Sequence, residues 1–122
     1  MGRAVEDKDV LIVDDMIASG ESVLDIAKEL KKRNVKNIYV AATFAFFTEG
    51  VEKFNKAHEE GLLARIYSTN LTYIPEELKD SAWFKSVDMS ELCARIINRL
   101  NYGRSIAKYM DATRIIHSLL NK

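Results

Sequence analysis

Residues 9–22 read DVLIVDDMIASGES. The run 9–13 is almost wholly apolar, too short for a helix and rich in β-branched residues, which is typical of a strand buried on both faces of a parallel sheet. The polar stretch 14–22 follows it directly. Apolar residues then recur at the helical spacing i, i+3, i+4 and i+7, at Val23, Ile26, Ala27 and Leu30. The sequence therefore predicts a strand, a loop and a helix in succession.

The same alternation continues along the chain. Further strands are predicted at 38–43, 63–69 and 84–87, and further helices at 48–60, 88–103 and 115–120. Asp88 and Glu91 have the spacing of a capping box at the start of one of these helices. Strands that alternate with helices indicate an α/β fold, which we predict to be three-layered with a mostly parallel sheet.

Composition limits the possible functions. The 122 residues suit a single domain, 1–122, and the 48% hydrophobic fraction allows a core. The chain has 18 Lys and Arg residues and 18 Asp and Glu residues, so it lacks the excess of positive charge that is typical of a general nucleic-acid binder. It shows no signal peptide and no apolar run of about 18 residues, so we expect no membrane segment and a cytoplasmic location.

The sequence offers no metal-binding pattern of its own. Cys93 is the only cysteine, which excludes an intrachain disulfide and a cysteine metal cluster. His58 and His117 lie far apart and have no ligand-like spacing. We therefore assign no metal ligand to this chain.

The loop that follows the first strand carries the chemistry. Ligands of parallel α/β sheets bind beyond the carboxyl ends of the strands. Asp14 and Asp15 can accept hydrogen bonds from a vicinal diol, such as two ribose hydroxyls. The small residues 18–20 let the backbone approach a ligand, and the start of the next helix directs free amides at the same place. These features together describe a sugar-phosphate site, although a capped strand-to-helix connection explains the same residues.

The stretch 10–22 resembles the phosphoribosyl loop of the type I phosphoribosyltransferase fold. Its Asp-Asp-Met-Ile form is similar to that of the ribose-phosphate pyrophosphokinases. The resemblance continues at Ala41-Ala42-Thr43-Phe44, Phe47-Thr48-Glu49-Gly50, Thr69-Asn70 and Gly103-Arg104-Ser105-Ile106. The chain thus resembles the C-terminal half of that family, and the resemblance implies a phosphoribosyltransferase-like fold.

The resemblance also implies an activity and its parts. The family transfers the diphosphate of ATP to ribose 5-phosphate, giving phosphoribosyl diphosphate and AMP, requires Mg²⁺ and is oligomeric. Asp14 and Asp15 would hold the ribose hydroxyls, with magnesium bridging nearby substrate oxygens. The rest of the substrate-binding loop would wrap the 5-phosphate, mainly by backbone amides; its residues are Ala18, Ser19, Gly20, Glu21 and Ser22.

Three positions depart from the family pattern. Ala18 stands where the family often has Asp, Glu21 replaces a usual Gly, and Phe44 stands where many members have His. In the family, the first half supplies the ATP contacts and a mobile loop with Lys and Arg. We therefore assign no catalytic residue here, expect ATP to be a ligand of the complete enzyme only, and expect this chain to be a fragment that is inactive alone.

Two other functions stay open at this point. A response-regulator receiver domain shares the first strand and acidic pair, but it needs a phosphoacceptor Asp after the third strand, where this chain has Ser68-Thr69-Asn70. A non-catalytic subunit that binds phosphoribosyl diphosphate and regulates a partner is also compatible with the chain.

Overall fold

The computed structural model describes residues 5–121, apart from the side chain of Arg114. The strands are β1 Asp9–Ile17, β2 Asn37–Ala45, β3 Arg65–Thr69 and β4 Phe84–Val87. The helices are α1 Glu21–Lys32, α2 Glu52–Glu59, α3 Ser90–Asn101, α4 Ala107–Met110 and α5 Thr113–Leu120, and a 3₁₀ turn spans Glu76–Leu78. In the described part of the chain, no helix is long and apolar enough to cross a membrane.

All the neighbouring strands of the sheet are parallel. The four strands follow the order β1-β2-β3-β4, which confirms the α/β class and the parallel sheet predicted from sequence. Because crossovers between parallel strands are right-handed and the order runs in one direction, successive crossovers lie on the same face. In agreement, Ala27 of α1 and Phe54 of α2 share one core with Val40 of β2.

The first strand is longer than its apolar run. Its pairing with β2 continues from Asp9↔Asn37 to Ile17↔Ala45, and both residues of the last pair are buried. The prediction that the loop begins at Asp14 was therefore wrong, because Asp14 and Asp15 lie within β1. The connection to α1 is confined to residues 18–20.

The chain forms two compact units, one ending at Asp88 and the other beginning at Met89. The first contains the sheet, α1 and α2, and the second contains α3, α4 and α5. Helix α3 begins at Ser90 with Met89 at its N-cap, one residue later than the Asp88 cap predicted from the sequence. Glu91 is ion-paired with Arg95 one turn further along.

The two faces of β1 differ in burial. Val10 and Ile12 pack against the core, whereas Leu11 is 57% exposed and Val13 is 75% exposed. Among the described residues β1 is also an edge strand, since it pairs with β2 alone. The core therefore lies between the sheet and its helices, and one side of β1 contributes little to it.

We predict that Ile66→Ala lowers the free energy of unfolding by about 2–4 kcal/mol, because the substitution leaves a cavity in a well-packed core. Ile66 lies on β3 and is 0% exposed. The control is Ile26→Ala, on α1 and 46% exposed, which should change the free energy by no more than about 0.5 kcal/mol because the side chain is largely solvated. Urea unfolding measures both. Equal losses for the two variants would contradict the assignment of the core face.

Candidate functional site

The loop between β1 and α1 ends in an uncapped helix N-terminus. Gly20 is the N-cap residue, with a left-handed backbone at φ 88° and no side-chain cap. The first helical hydrogen bond runs from the amide of Leu24 to the carbonyl of Gly20 at 3.0 Å. Ser19 Oγ accepts only a long bond, 3.4 Å, from the amide of Glu21. Because the first amides of a helix have no intrahelical acceptor, this end of α1 attracts an anion.

A cavity of about 130 Å³ opens at this loop. Five of the predicted site residues line it together with neighbouring apolar groups: Asp14, Ala18, Ser19, Gly20 and Ser22. Asp15 and Glu21 are exposed and are not among the lining residues. The structure thus brings most of the predicted loop around one space. The exposure of Glu21 leaves its carboxylate free to turn towards solvent.

Asp14 lines both this cavity and a second one. Its carboxylate is half-buried and accepts a hydrogen bond from the amide of Asp15 at 2.8 Å. Asp14 also lines a shallow groove of about 240 Å³ at the carboxyl end of the sheet, together with Thr43 and Thr69. Of the two acidic residues, Asp14 therefore has the position for contacting a ligand that occupies both spaces.

Thr43 and Thr69 had no assigned role in the sequence analysis. Thr69 Oγ1 donates a hydrogen bond of 2.5 Å to the carbonyl oxygen of Thr43, which ties the ends of β3 and β2 together. The sequence could have indicated them, because polar residues at the carboxyl ends of neighbouring parallel strands meet at the same edge of the sheet. These two residues line the groove together with Asp14.

The cationic side chains near the loop are already paired. Lys28 and Lys53 line a surface hollow beside Glu21. Lys28 is 3.0 Å from Asp25, and Lys53 is 2.6 Å from Glu49. An anion at the loop would therefore depend mainly on backbone amides and hydroxyl groups.

The described residues contain no group of three or more His, Cys, Asp or Glu side chains that could hold a metal ion. Asp14 is the carboxylate that lines the cavity, and Asp15 and Glu21 are each next to a lining residue in the sequence. The described residues therefore do not form a metal site in which the protein alone supplies three or more ligands.

Comparison with protein families identifies the chain. A family model described as the phosphoribosyl synthetase-associated domain matches residues 2–111. The chain belongs to this family. The match runs from before β1 to beyond α4, so it includes the loop and both sides of the groove.

Curated relatives of this family member include ribose-phosphate pyrophosphokinases and uracil phosphoribosyltransferases. The enzyme of Mycoplasma pneumoniae is 35% identical over 95 residues, covering 76% of this chain and 28% of the relative. That of Thermococcus kodakarensis is 38% identical over 79 residues, covering 62% of this chain and 28% of the relative. A uracil phosphoribosyltransferase of Staphylococcus saprophyticus is 41% identical over 56 residues, covering 46% of this chain and 26% of the relative. The chain thus spans less than a third of the length of these relatives.

A solved structure has the same fold. The phosphoribosylpyrophosphate synthetase from Mycobacterium smegmatis matches with a TM-score of 0.69 and 22% identity, covering 81% of this chain and 32% of that chain. The phosphoribosyltransferase-like fold expected from the sequence is therefore confirmed. The receiver-domain alternative is not supported.

We predict that Gly20→Ala destabilises the protein more than Gly61→Ala. Both glycines have positive φ, 88° and 70°, so both substitutions carry backbone strain of about 1–3 kcal/mol. A Cβ at residue 20 would lie 2.0 Å from Phe54 Cζ, whereas one at residue 61 would have no atom within 4 Å. Thermal unfolding of the two variants measures the difference. An equal loss of stability would contradict the close packing beneath the loop.

Proposed function

We propose that this chain supplies the ribose-5-phosphate-binding part of a ribose-phosphate diphosphokinase, which transfers the diphosphate of ATP to ribose 5-phosphate and yields phosphoribosyl diphosphate and AMP. The observation that carries the proposal is the uncapped start of α1 over a cavity lined by Asp14, Ser19 and Ser22. Membership of the family makes a phosphorylated ribose the ligand to expect there.

Each part of the loop has a distinct role in this proposal. The amides of residues 20–22 and the hydroxyls of Ser19 and Ser22 bind the 5-phosphate, because a helix N-terminus favours negative charge. Asp14 and Asp15 accept hydrogen bonds from the ribose hydroxyls. Binding at both ends fixes the sugar so that its anomeric hydroxyl faces the groove beside Thr43 and Thr69.

Mg²⁺ fits this arrangement as an ion held chiefly by substrate. Magnesium commonly keeps several waters and uses one or two carboxylates together with phosphate oxygens. The half-buried Asp14 and the exposed Asp15 could supply these carboxylates. When bound, the ion would neutralise charge on the diphosphate, while the loop residues bind and orient the ribose.

We also propose that the two compact units of the chain form a single domain. Because the family match is continuous over residues 2–111, we assign both compact units to one phosphoribosyltransferase-like domain, 1–122. ATP contacts belong to parts of the complete enzyme that this chain does not supply. Because ATP and sugar phosphates are the substrates proposed here, we expect the protein to be located in the cytoplasm.

We predict that Ser19→Ala with Ser22→Ala weakens sulfate and ribose 5-phosphate binding about tenfold, since each lost hydrogen bond contributes roughly 0.5–1.5 kcal/mol. Asp14→Asn with Asp15→Asn should instead weaken ribose 5-phosphate binding and leave sulfate binding unchanged or stronger. Calorimetric titration measures both ligands. Binding should also weaken with added salt, because the Debye length shortens to about 8 Å at roughly 0.15 M.

The matched control for these variants is Asp25→Asn, which removes an exposed carboxylate from α1 outside the loop. It should leave both affinities within about twofold, because an exposed charge outside the site is screened. The assigned roles would be contradicted if the two Asp→Asn substitutions abolished sulfate binding while the two Ser→Ala substitutions left it unchanged.

We predict that the 122-residue chain alone releases no AMP from ATP and ribose 5-phosphate at a useful rate. Phosphoryl transfer depends on positioned groups that stabilise charge on ATP, and none is assigned here. Coupled assays of AMP, with a full-length relative as positive control, measure this. Robust AMP release by the pure chain would refute the prediction. Altered activity of an added full-length partner would favour the non-catalytic regulatory subunit.

We predict that the chain forms homo-oligomers through the exposed side of β1. Leu11 and Val13 leave apolar surface exposed on β1, and exposed apolar surface favours association with another chain, whereas a charge placed there opposes it. Leu11→Lys should therefore shift the protein towards monomer. Ile26→Lys, on α1 and 46% exposed, is the control and should not. Sedimentation or light scattering measures the mass. A monomeric wild type at high concentration would contradict this prediction.

A further inference from the structure

A buried aromatic ring lies directly beneath the phosphate loop, defined here as residues 18–22. Phe54 of α2 is 0% exposed, and Gly20 is buried at the N-cap of α1. A Cβ built on Gly20 would lie 2.0 Å from Cζ and 2.8 Å from Cε2 of this ring, closer than non-bonded atoms can approach. The ring is therefore in contact with the backbone of the loop and prevents it from moving towards the core.

Phe54 is itself held by other aromatic rings. Phe47 packs edge-on against it with centroids 5.0 Å apart, and Trp83 stacks on it at 5.5 Å. Trp83 Nε1 donates a hydrogen bond of 2.7 Å to Asn55 Oδ1, which fixes the indole. Aromatic pairs at these separations prefer defined orientations. The position of Phe54 is thus set by residues outside the loop.

The same cluster holds the loop from the side. The amide of Phe46 donates to the carbonyl of Ile17 at 2.8 Å, and the amide of Thr48 donates to the carbonyl of Ala18 at 3.0 Å. Between these two donors, Phe47 has φ 48°, which is rare for a bulky residue. Such strain persists only where the surroundings hold the backbone firmly, and the buried ring of Phe47 supplies that hold.

We propose that Phe54 is a positioning residue for the phosphate loop: its ring supports Gly20 so that the amides that follow are aligned before the anion arrives. The inference rests on the proposed function, because it assigns a support to that same site. Phe54 would contact no ligand atom, and its effect would come from preorganisation of the loop by packing. Since Trp83 stacks on Phe54 and is the only tryptophan, loop ordering by an anion should change its fluorescence.

The test compares Phe54→Leu with Phe84→Leu. Phe84 is 4% exposed and packs against Phe47 and Trp83, so both substitutions remove a buried ring from one cluster. The three atoms nearest to a Cβ built on Gly20 all belong to Phe54, and none belongs to Phe84. Inorganic phosphate is titrated while Trp83 emission and heat are recorded. Phe54→Leu should weaken phosphate binding on the order of tenfold, since misplaced site groups are costly. Phe84→Leu should change it less than about threefold, since Phe84 packs against Phe47 and Trp83 and is not among the atoms nearest to Gly20.

A second comparison keeps the proposal testable if Phe54→Leu unfolds. Phe54→Met conserves most of the volume but removes the rigid ring, and it should weaken phosphate binding while the protein stays folded. Gly20→Ala should also lower the melting temperature less in the Phe54→Met background than in wild type, because the flexible Met side chain can move away from the added Cβ and the rigid ring cannot.

Three results distinguish failure of the positioning role of Phe54 from failure of the proposed function. If wild type binds phosphate and the Phe54 variants bind it as tightly, the positioning role is overturned while the proposed function stands. If the Phe54 and Phe84 variants weaken binding equally, the effect is general destabilisation and the positioning role is again overturned. If wild type itself does not bind phosphate, the proposed function fails and the inference fails with it.

Discussion

The parallel pairing of β1 with β2 is the constraint on which the candidate site depends. Eight aligned residue pairs join the strands, from Asp9↔Asn37 to Ile17↔Ala45. This pairing carries Asp14 to the same edge of the sheet as Thr43 and releases the chain into a short connection to α1. Without it, neither the cavity at the loop nor the groove beside it would have a fixed wall.

The connection that follows is short, and its geometry restricts the residues that can occupy it. Gly20 turns the chain with a positive φ and has no side chain to cap the first amides of α1, of which that of Glu21 makes only a long bond to Ser19 Oγ. A helix N-terminus of this kind is stabilised when an anion accepts those hydrogen bonds. The surface lysines nearby are engaged in ion pairs. In the proposed site, recognition of a phosphate would therefore depend on backbone geometry more than on side-chain charge.

Sequence patterns predicted the order of the elements and the parallel sheet, but not the contacts between particular residues. The course of α1 and the bounds of β4 followed from periodicity and flanking residues, which are local. The extension of β1 to Ile17 depended on pairing with Ala45, and the start of α2 at Glu52 rather than Thr48 accompanies a hydrogen bond from Thr48 to the loop. Periodicity could show that Phe54 is buried, but it could not show which backbone the ring meets.

The most direct test of the account follows the backbone amides of the loop by NMR during titration with ribose 5-phosphate. The account predicts that the amide resonances of residues 20–22 shift first and most, and that the shifts diminish as salt is added. Asp14→Asn should preserve these phosphate-driven shifts and weaken the affinity for the sugar phosphate. Saturable binding that leaves these amides unmoved, with shifts centred elsewhere in the chain, would contradict the central claim that the start of α1 receives the 5-phosphate.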